Sequence, residues 1–163
     1  MTVRLGVEGL RPVRDDDADA LRRLIGGVYA EYPGCVLEPD GLDADLDGMA
    51  SLVARKGGEF WVVERDGAVV ACCGWGPAGD GVVELKRLYV GPAARRQGIG
   101  RRLVEMVEQA ARNRRASAVE LWSDTRFGDA HRLYESLGYR RLPDSRDLND
   151  ASNSTEYHFR KQL

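Results

Sequence analysis

Apolar positions along the chain follow two rhythms, and the changes between them mark the elements. Leu21, Leu24, Ile25 and Val28 recur at helical spacing, which predicts an amphipathic helix over residues 17–31. Leu10-Arg11-Pro12-Val13-Arg14 ahead of it reads as a short first strand, and any of Asp15, Asp16 and Asp17 can cap the helix. Residues 32–41 read as a loop, and a weaker helical pattern over 42–54 stops at Gly57-Gly58. Strand-like runs at 60–64 and 69–75 flank Arg65-Asp66-Gly67, a strong hairpin signal. After a glycine-rich turn at 76–81, residues 82–90 form a further strand. A helix from Ile99 to about Arg114 is expected to bury Ile99, Leu103, Val107 and Ala110 on one stripe. Ala118 to Trp122 reads as a short buried strand. Ala130, Leu133, Tyr134 and Leu137 mark another helix, closed by Gly138 in the C′ position. The tail offers strands near 139–142 and 155–161, joined by an Asp/Asn/Ser-rich connection. With neither repeat nor linker, residues 1–163 read as one α+β domain with a mostly antiparallel sheet.

Composition narrows the class. The 163 residues suffice for a real core, and 43% apolar with 31% charged residues is ordinary for a soluble protein. A net charge of -2 gives no reason to propose a nucleic-acid partner. No apolar run approaches a membrane span, and Met1-Thr2-Val3-Arg4 lacks a signal-peptide core, so a cytoplasmic protein is expected. Cys72 and Cys73 are adjacent and point to opposite faces of a strand, which with Cys35 suits small buried hydrophobes better than a disulfide. His131 and His158 show no ligand spacing, so no metal is expected.

The chemistry concentrates in Arg95-Arg96-Gln97-Gly98-Ile99-Gly100, which follows the apolar run Leu88-Tyr89-Val90. Here a strand and a basic turn feed a helix whose first N–H groups lack internal partners, a ready site for a di- or polyphosphate. A Walker A loop is absent, and a dinucleotide fingerprint would want a small residue where Leu103 stands. Strand, Arg-x-x-Gly-x-Gly turn, helix, strand and a Leu-Tyr-x-x-x-Gly-Tyr helix follow in order. From about Glu84 to Tyr139, the chain resembles the GCN5-related N-acetyltransferases. That resemblance implies a three-layer fold, its mixed, mostly antiparallel sheet of about seven strands flanked by about four helices. It also implies acetyl-coenzyme A as acetyl donor.

The resemblance assigns roles to residues. The pyrophosphate would sit on the N–H groups of Gln97, Gly98, Ile99, Gly100 and Arg101, with some of Arg95, Arg96, Arg101 and Arg102 on the phosphates. The pantetheine arm would lie along Leu88, Tyr89 and Val90, where that strand splays from Trp122-Ser123, and relatives carry a bulge that opens the gap. A backbone N–H near Val90 would polarise the carbonyl. Many relatives have an asparagine where this chain has Phe127; Ser123, Arg126 or Arg132 can replace that contact.

Acetyl transfer needs an amine deprotonated and a thiolate reprotonated. An alkylammonium near pKa ~10.4 holds almost no free base at neutral pH, so a base is required. Glu84 is the candidate base, expected by alternation to share a face with Lys86, Leu88 and Val90 unless a bulge intervenes. Tyr134 is the candidate acid, because a phenol of ordinary pKa ~10 suits a thiolate leaving group.

The acceptor side is less defined. Glu38, Asp40, Asp43, Asp45 and Asp47 occur with no Lys or Arg between residues 32 and 54, a patch that could draw a small cationic amine. Tyr29, Tyr32 and Trp75 offer an apolar wall. Acetylation of a protein lysine or N-terminus, and a non-catalytic acyl-coenzyme A sensor, stay open as alternatives. A homodimer also stays open, since the strand at 157–160 can pair within one subunit or across two.

Overall fold

Asp66 and Gly67 adopt φ of 51° and 78°, the two positive values that a tight hairpin between right-twisted strands requires. That turn joins β2 (Glu59–Arg65) to β3 (Ala68–Pro77), near the middle of a seven-stranded sheet. In the computed structural model, which describes residues 6–163, the remaining strands are β1 (Leu10–Pro12), β4 (Val82–Val90), β5 (Ala118–Asp124), β6 (Arg140–Asp147) and β7 (Thr155–Gln162). Their order is β1-β2-β3-β4-β5-β7-β6, and β4 with β5 is the parallel pair in an otherwise antiparallel sheet. β7 lies between β5 and β6, so both of its edges are used within the chain.

Helices cover both faces, as a sheet buried on two sides demands. α1 (Ala18–Tyr29) and α2 (Met49–Lys56) enclose Leu21, Ile25, Leu46, Val62 and Cys72 on one face. On the other, α3 (Ile99–Asn113) and α4 (Gly128–Ser136) enclose Leu103, Val104, Val107, Leu121 and Phe159. Each fully buried aliphatic side chain contributes about 1.5–3 kcal/mol. Among the described residues, no helix is long and apolar enough to cross a membrane.

Three expectations need correction. The helix expected over 42–54 is a short 3-10 turn, Ala44–Leu46, followed by α2. Gly48 separates them at φ 73°, a left-handed step that breaks the helix. Asp15 caps α2, not α1: its carboxylate accepts from the Ser51 backbone N–H at 2.9 Å. Asp17 instead takes Arg11 and the Arg14 N–H at 2.7 Å. The buried stripe of α3 runs through Val104 and Ala111, leaving Ala110 half-buried.

The Leu-Tyr-x-x-x-Gly-Tyr segment acquires a physical reading. A Cβ on Gly100 would stand 3.2 Å from Leu133 Cδ2, so the glycine lets α3 and α4 approach. Gly138, at φ 93°, closes α4. Tyr139 then donates to the buried Glu108 at 2.9 Å, and Lys161 reaches the other carboxylate oxygen at 2.9 Å. These bonds tie α3 to the late hairpin.

Candidate active site

β4 and β5 pair over three rungs, Val82↔Ala118, Val83↔Val119 and Glu84↔Glu120, and then separate. A bulge drives the separation. Between Cys72↔Tyr89 and Gly74↔Lys86, β4 carries one residue more than β3, and Arg87 absorbs it at φ 60°. The bulge also corrects the expected alternation. Glu84 and Lys86 face the α1–α2 side, whereas Leu88 and Val90 pack in the core beneath α3 and α4. Gly91 N–H donates to Val70 O at 2.8 Å, toward β3, so alternation turns the N–H groups of Leu88 and Val90 into the gap.

The turn beyond β4 has a matching character. Gly98 caps α3 at φ 75°, where a side chain would be strained. Gly98, Ile99, Gly100 and Arg101 have backbone N–H groups with no acceptor among the described residues. The arginines divide. Arg95 is taken up by Glu31, whose two oxygens it meets at 2.7 and 2.6 Å, while its Nε donates to Val90 O at 3.0 Å. Gln97 accepts from Arg65 at 2.6 Å, and Arg102 pairs with Glu105 at 3.4 Å. Arg96 and Arg101 are exposed and lack an ion-pair partner among the described residues.

The replacements considered for the missing asparagine are all occupied. Ser123 is buried against His131, Oγ to Nε2 at 3.1 Å. Arg126 holds Asp124 through two bonds, at 2.9 and 2.7 Å. Arg132 turns outward to Asp129. Phe127 itself joins an aromatic wall, edge-on to Tyr32 at 4.9 Å and stacked near Tyr29 at 6.2 Å.

A cleft of about 380 Å³ opens on the α1–α2 side, with Glu84 in its wall beside the last parallel rung. Lys86 reaches the Glu84 carboxylate at 3.2 Å. Tyr29, Tyr89, Phe127 and Trp122 give the cleft its apolar surface; Tyr32 backs Phe127, and Trp75 lies elsewhere. Trp122 stacks on His158 at 4.1 Å, and the Arg146 guanidinium lies 4.3 Å from its ring centre.

The acidic connection behaves differently from its sequence pattern. Arg87 consumes Asp43 at 2.8 Å and Asp45 at 2.5 Å, and Asp47 goes to Arg22. Asp40 is outside the cleft. The cleft carboxylates without a cation partner among the described residues are Glu38 and Asp150. Arg87 was missed as a functional residue, although five acids with no local base imply that a distant cation balances them.

Tyr134 lies on the opposite face of the sheet, 4% exposed, between Tyr139 and Phe159. Burial raises its phenol well above the ordinary value, with Cys73 and Tyr89 adding to the effect, which revises the expectation of an unperturbed hydroxyl. Burial likewise pushes the Cys72 thiol up to about 12, which suits a packed side chain and not a nucleophile.

The residues fit acetyl-coenzyme A: unpaired N–H groups at the α3 N-terminus for the pyrophosphate, unpaired β4 amides for the arm. Comparison with known proteins agrees. The profile of the Acetyltransferase (GNAT) domain matches residues 56–141. The uncharacterized N-acetyltransferase YjgM of Escherichia coli (strain K12) is 30% identical over 138 residues, 82% of each chain. The N-acetylaspartate synthetase of Danio rerio is 34% identical over 121 residues, 74% of this chain and 42% of that one. Among solved structures, a GNAT-family acetyltransferase from Staphylococcus aureus Mu50 superposes with a TM-score of 0.79 at 16% identity, covering 94% of this chain and 98% of that one. YncA from Salmonella typhimurium, solved with acetyl-CoA, gives 0.71 at 19% identity, with 97% and 95% covered. With donor turn, splayed strands and profile in agreement, the chain belongs to the GNAT family and is an acetyl-CoA-dependent N-acetyltransferase.

Proposed function

We propose that this enzyme acetylates the primary amine of a small cationic molecule, by direct attack within a ternary complex. The reading rests on Glu84 in the cleft wall at the last rung between β4 and β5, with Tyr134 buried on the opposite face of the sheet. An amine entering from the cleft meets Glu84 before it reaches the gap. A departing thiol in the gap would take its proton from the α3–α4 side of the sheet, the side on which Tyr134 lies. Glu38 and Asp150 on the cleft wall favour a positively charged acceptor.

When bound, acetyl-coenzyme A supplies the acetyl thioester. Glu84 takes one proton of the acceptor ammonium, and the freed lone pair forms the N–C bond to the thioester carbonyl. The second proton lost as the amide forms replaces the one Tyr134 gives up. The Val90 N–H, turned into the gap, stabilises the oxygen that gains charge. Tyr134 gives its proton to the sulfur as the C–S bond breaks. Gly98 through Arg101, with Arg96 and Arg101 beside them, hold the pyrophosphate.

The test is thiol release from acetyl-CoA across a panel of small amines, diamines and peptides. Turnover with cationic amines, lost in Tyr134→Phe at unchanged donor binding, is the expected result. Release only with peptides, or with no amine, would overturn the reading.

A further inference from the structure

We infer that the Arg87–Asp45 ion pair is the end wall of the acceptor cleft and sets the length of acceptor the enzyme admits. The inference rests on the amine-acceptor reading and concerns the same site. Behind the cleft lies a second cavity of about 110 Å³, walled by Met49, Leu52 and Val53 of α2 and by Phe60 of β2. The two cavities share three lining residues, Asp45, Lys86 and Arg87. Arg87 and Asp45 are joined at 3.2 Å through Nε and 2.5 Å through Nη2. Lys86 is half exposed and directed to Glu84, so the fixed part of the partition is the ion pair.

Arg87 is held from both ends. Its backbone occupies the left-handed conformation of the bulge, and its carbonyl accepts from Cys72 Sγ at 3.2 Å. The guanidinium also bonds Asp43 Oδ1 at 2.8 Å and Leu42 O at 3.2 Å. With its side chain 16% exposed, withdrawing this cation from its carboxylates would leave charges unpaired. The wall is therefore rigid, and it is polar on a boundary whose far side is apolar. An amine with a short polar body ends at Arg87. An alkyl or aryl chain would need the space beyond it.

Removing the wall should merge the cavities. Asp45→Ala is the control that keeps the wall, because Asp43 and Leu42 O still hold Arg87 and the length limit should stay where it is. Arg87→Gly combined with Asp43→Asn removes it. Glycine suits the positive φ of the bulge, and the pair of changes removes opposite charges together. The probes are straight-chain n-alkylamines of increasing length, titrated calorimetrically in the presence of coenzyme A. For the unaltered enzyme, affinity should stop rising, or fall, once the chain reaches Arg87. In the Arg87→Gly, Asp43→Asn enzyme it should keep rising by roughly fourfold per methylene until the second cavity is full. Adding Leu52→Trp to fill that cavity should restore the original length limit. Parallel length dependences in the unaltered enzyme and both variants would overturn the inference. A parallel thiol-release assay keeps the two ideas apart. A length limit that moves while no amine is acetylated sinks the transfer reading alone, and acetylation with an unmoved limit sinks the wall alone.

Discussion

Arg95 grips Glu31 through both carboxylate oxygens, at 2.7 and 2.6 Å, and so binds the end of α1 to the donor turn. The guanidinium keeps the Glu31 carboxyl below its ordinary value. This pair occupies the residue that heads the basic turn. Arg95→Ala should therefore weaken acetyl-CoA by less than about fivefold, the ~1 kcal/mol ceiling of an exposed pair. Arg96→Ala with Arg101→Ala should cost more, with a loss that shrinks at high salt as screening grows. Calorimetric titration of acetyl-CoA at two ionic strengths checks the order; a larger loss from Arg95 would reverse it.

Gly98 allows a cleaner separation of fold from donor binding. Its φ of 75° is strained for any side chain, yet no atom lies within 4 Å of where a Cβ would stand. Gly98→Ala should lower the melting temperature by about 2–8 °C from backbone strain alone and retain stabilisation by acetyl-CoA. Gly98→Glu adds a carboxylate where the pyrophosphate is proposed to sit and should abolish that stabilisation. Thermal melts with and without acetyl-CoA distinguish the two.

Local pattern carried the elements that local forces decide. Asp66-Gly67 can form one kind of hairpin, the Gly98–Gly100 spacing one kind of helix entry, and Gly138 one kind of exit. What stayed hidden depends on residues far apart in the chain. Arg87 looks like any strand arginine until Asp43 and Asp45 close on it from 44 and 42 residues away. Its left-handed backbone is unusual for a residue with a Cβ, so the bulge that the resemblance implied, and with it the turn of Leu88 and Val90 to the other face, could not be located by periodicity. Phe127 marked a departure from the family pattern, and only its contacts with Tyr29 and Tyr32 reveal an aromatic wall. The acidity of residues 38–47 was legible, but its neutralisation was not.

Tyr134→Phe removes one oxygen from a well-packed ring, so stability and donor affinity should change little. Turnover should fall by about 10²–10⁴, the usual contribution of a positioned acid. Because burial raises the phenol above its ordinary value, activity should show no alkaline decline from its ionisation near pH 10. A decline there that vanishes in the phenylalanine variant would return the Tyr134 phenol to its ordinary range, and unchanged turnover in that variant would remove Tyr134 from this role.

Glu84→Gln keeps the shape of the cleft wall and deletes the carboxylate that Lys86 reaches. The loss in kcat/KM should grow as pH falls, because the protonated fraction of the acceptor grows in step. A uniform loss across pH would indicate that Glu84 orients Lys86 or the acceptor instead of taking a proton. Rate profiles of both enzymes with one amine decide between these outcomes.

His131 gives stability its own pH dependence. Burial holds the imidazole below its ordinary value of 6.5, and Ser123 Oγ lies 3.1 Å from Nε2. Between that lowered value and 6.5 the unfolded chain binds the proton and the folded chain does not. The His131 contribution is thus complete above pH 6.5 and is lost progressively as pH falls toward the folded value. Asp17, lowered by its bond to Arg11, acts with the same sign but only below the ordinary aspartate value of 3.8. Urea midpoints should therefore drop between pH 7.5 and pH 5. His131→Gln, which cannot take up the proton, should flatten that drop even if it lowers the midpoint at both ends. An equally steep drop in the glutamine variant would assign the dependence to other groups.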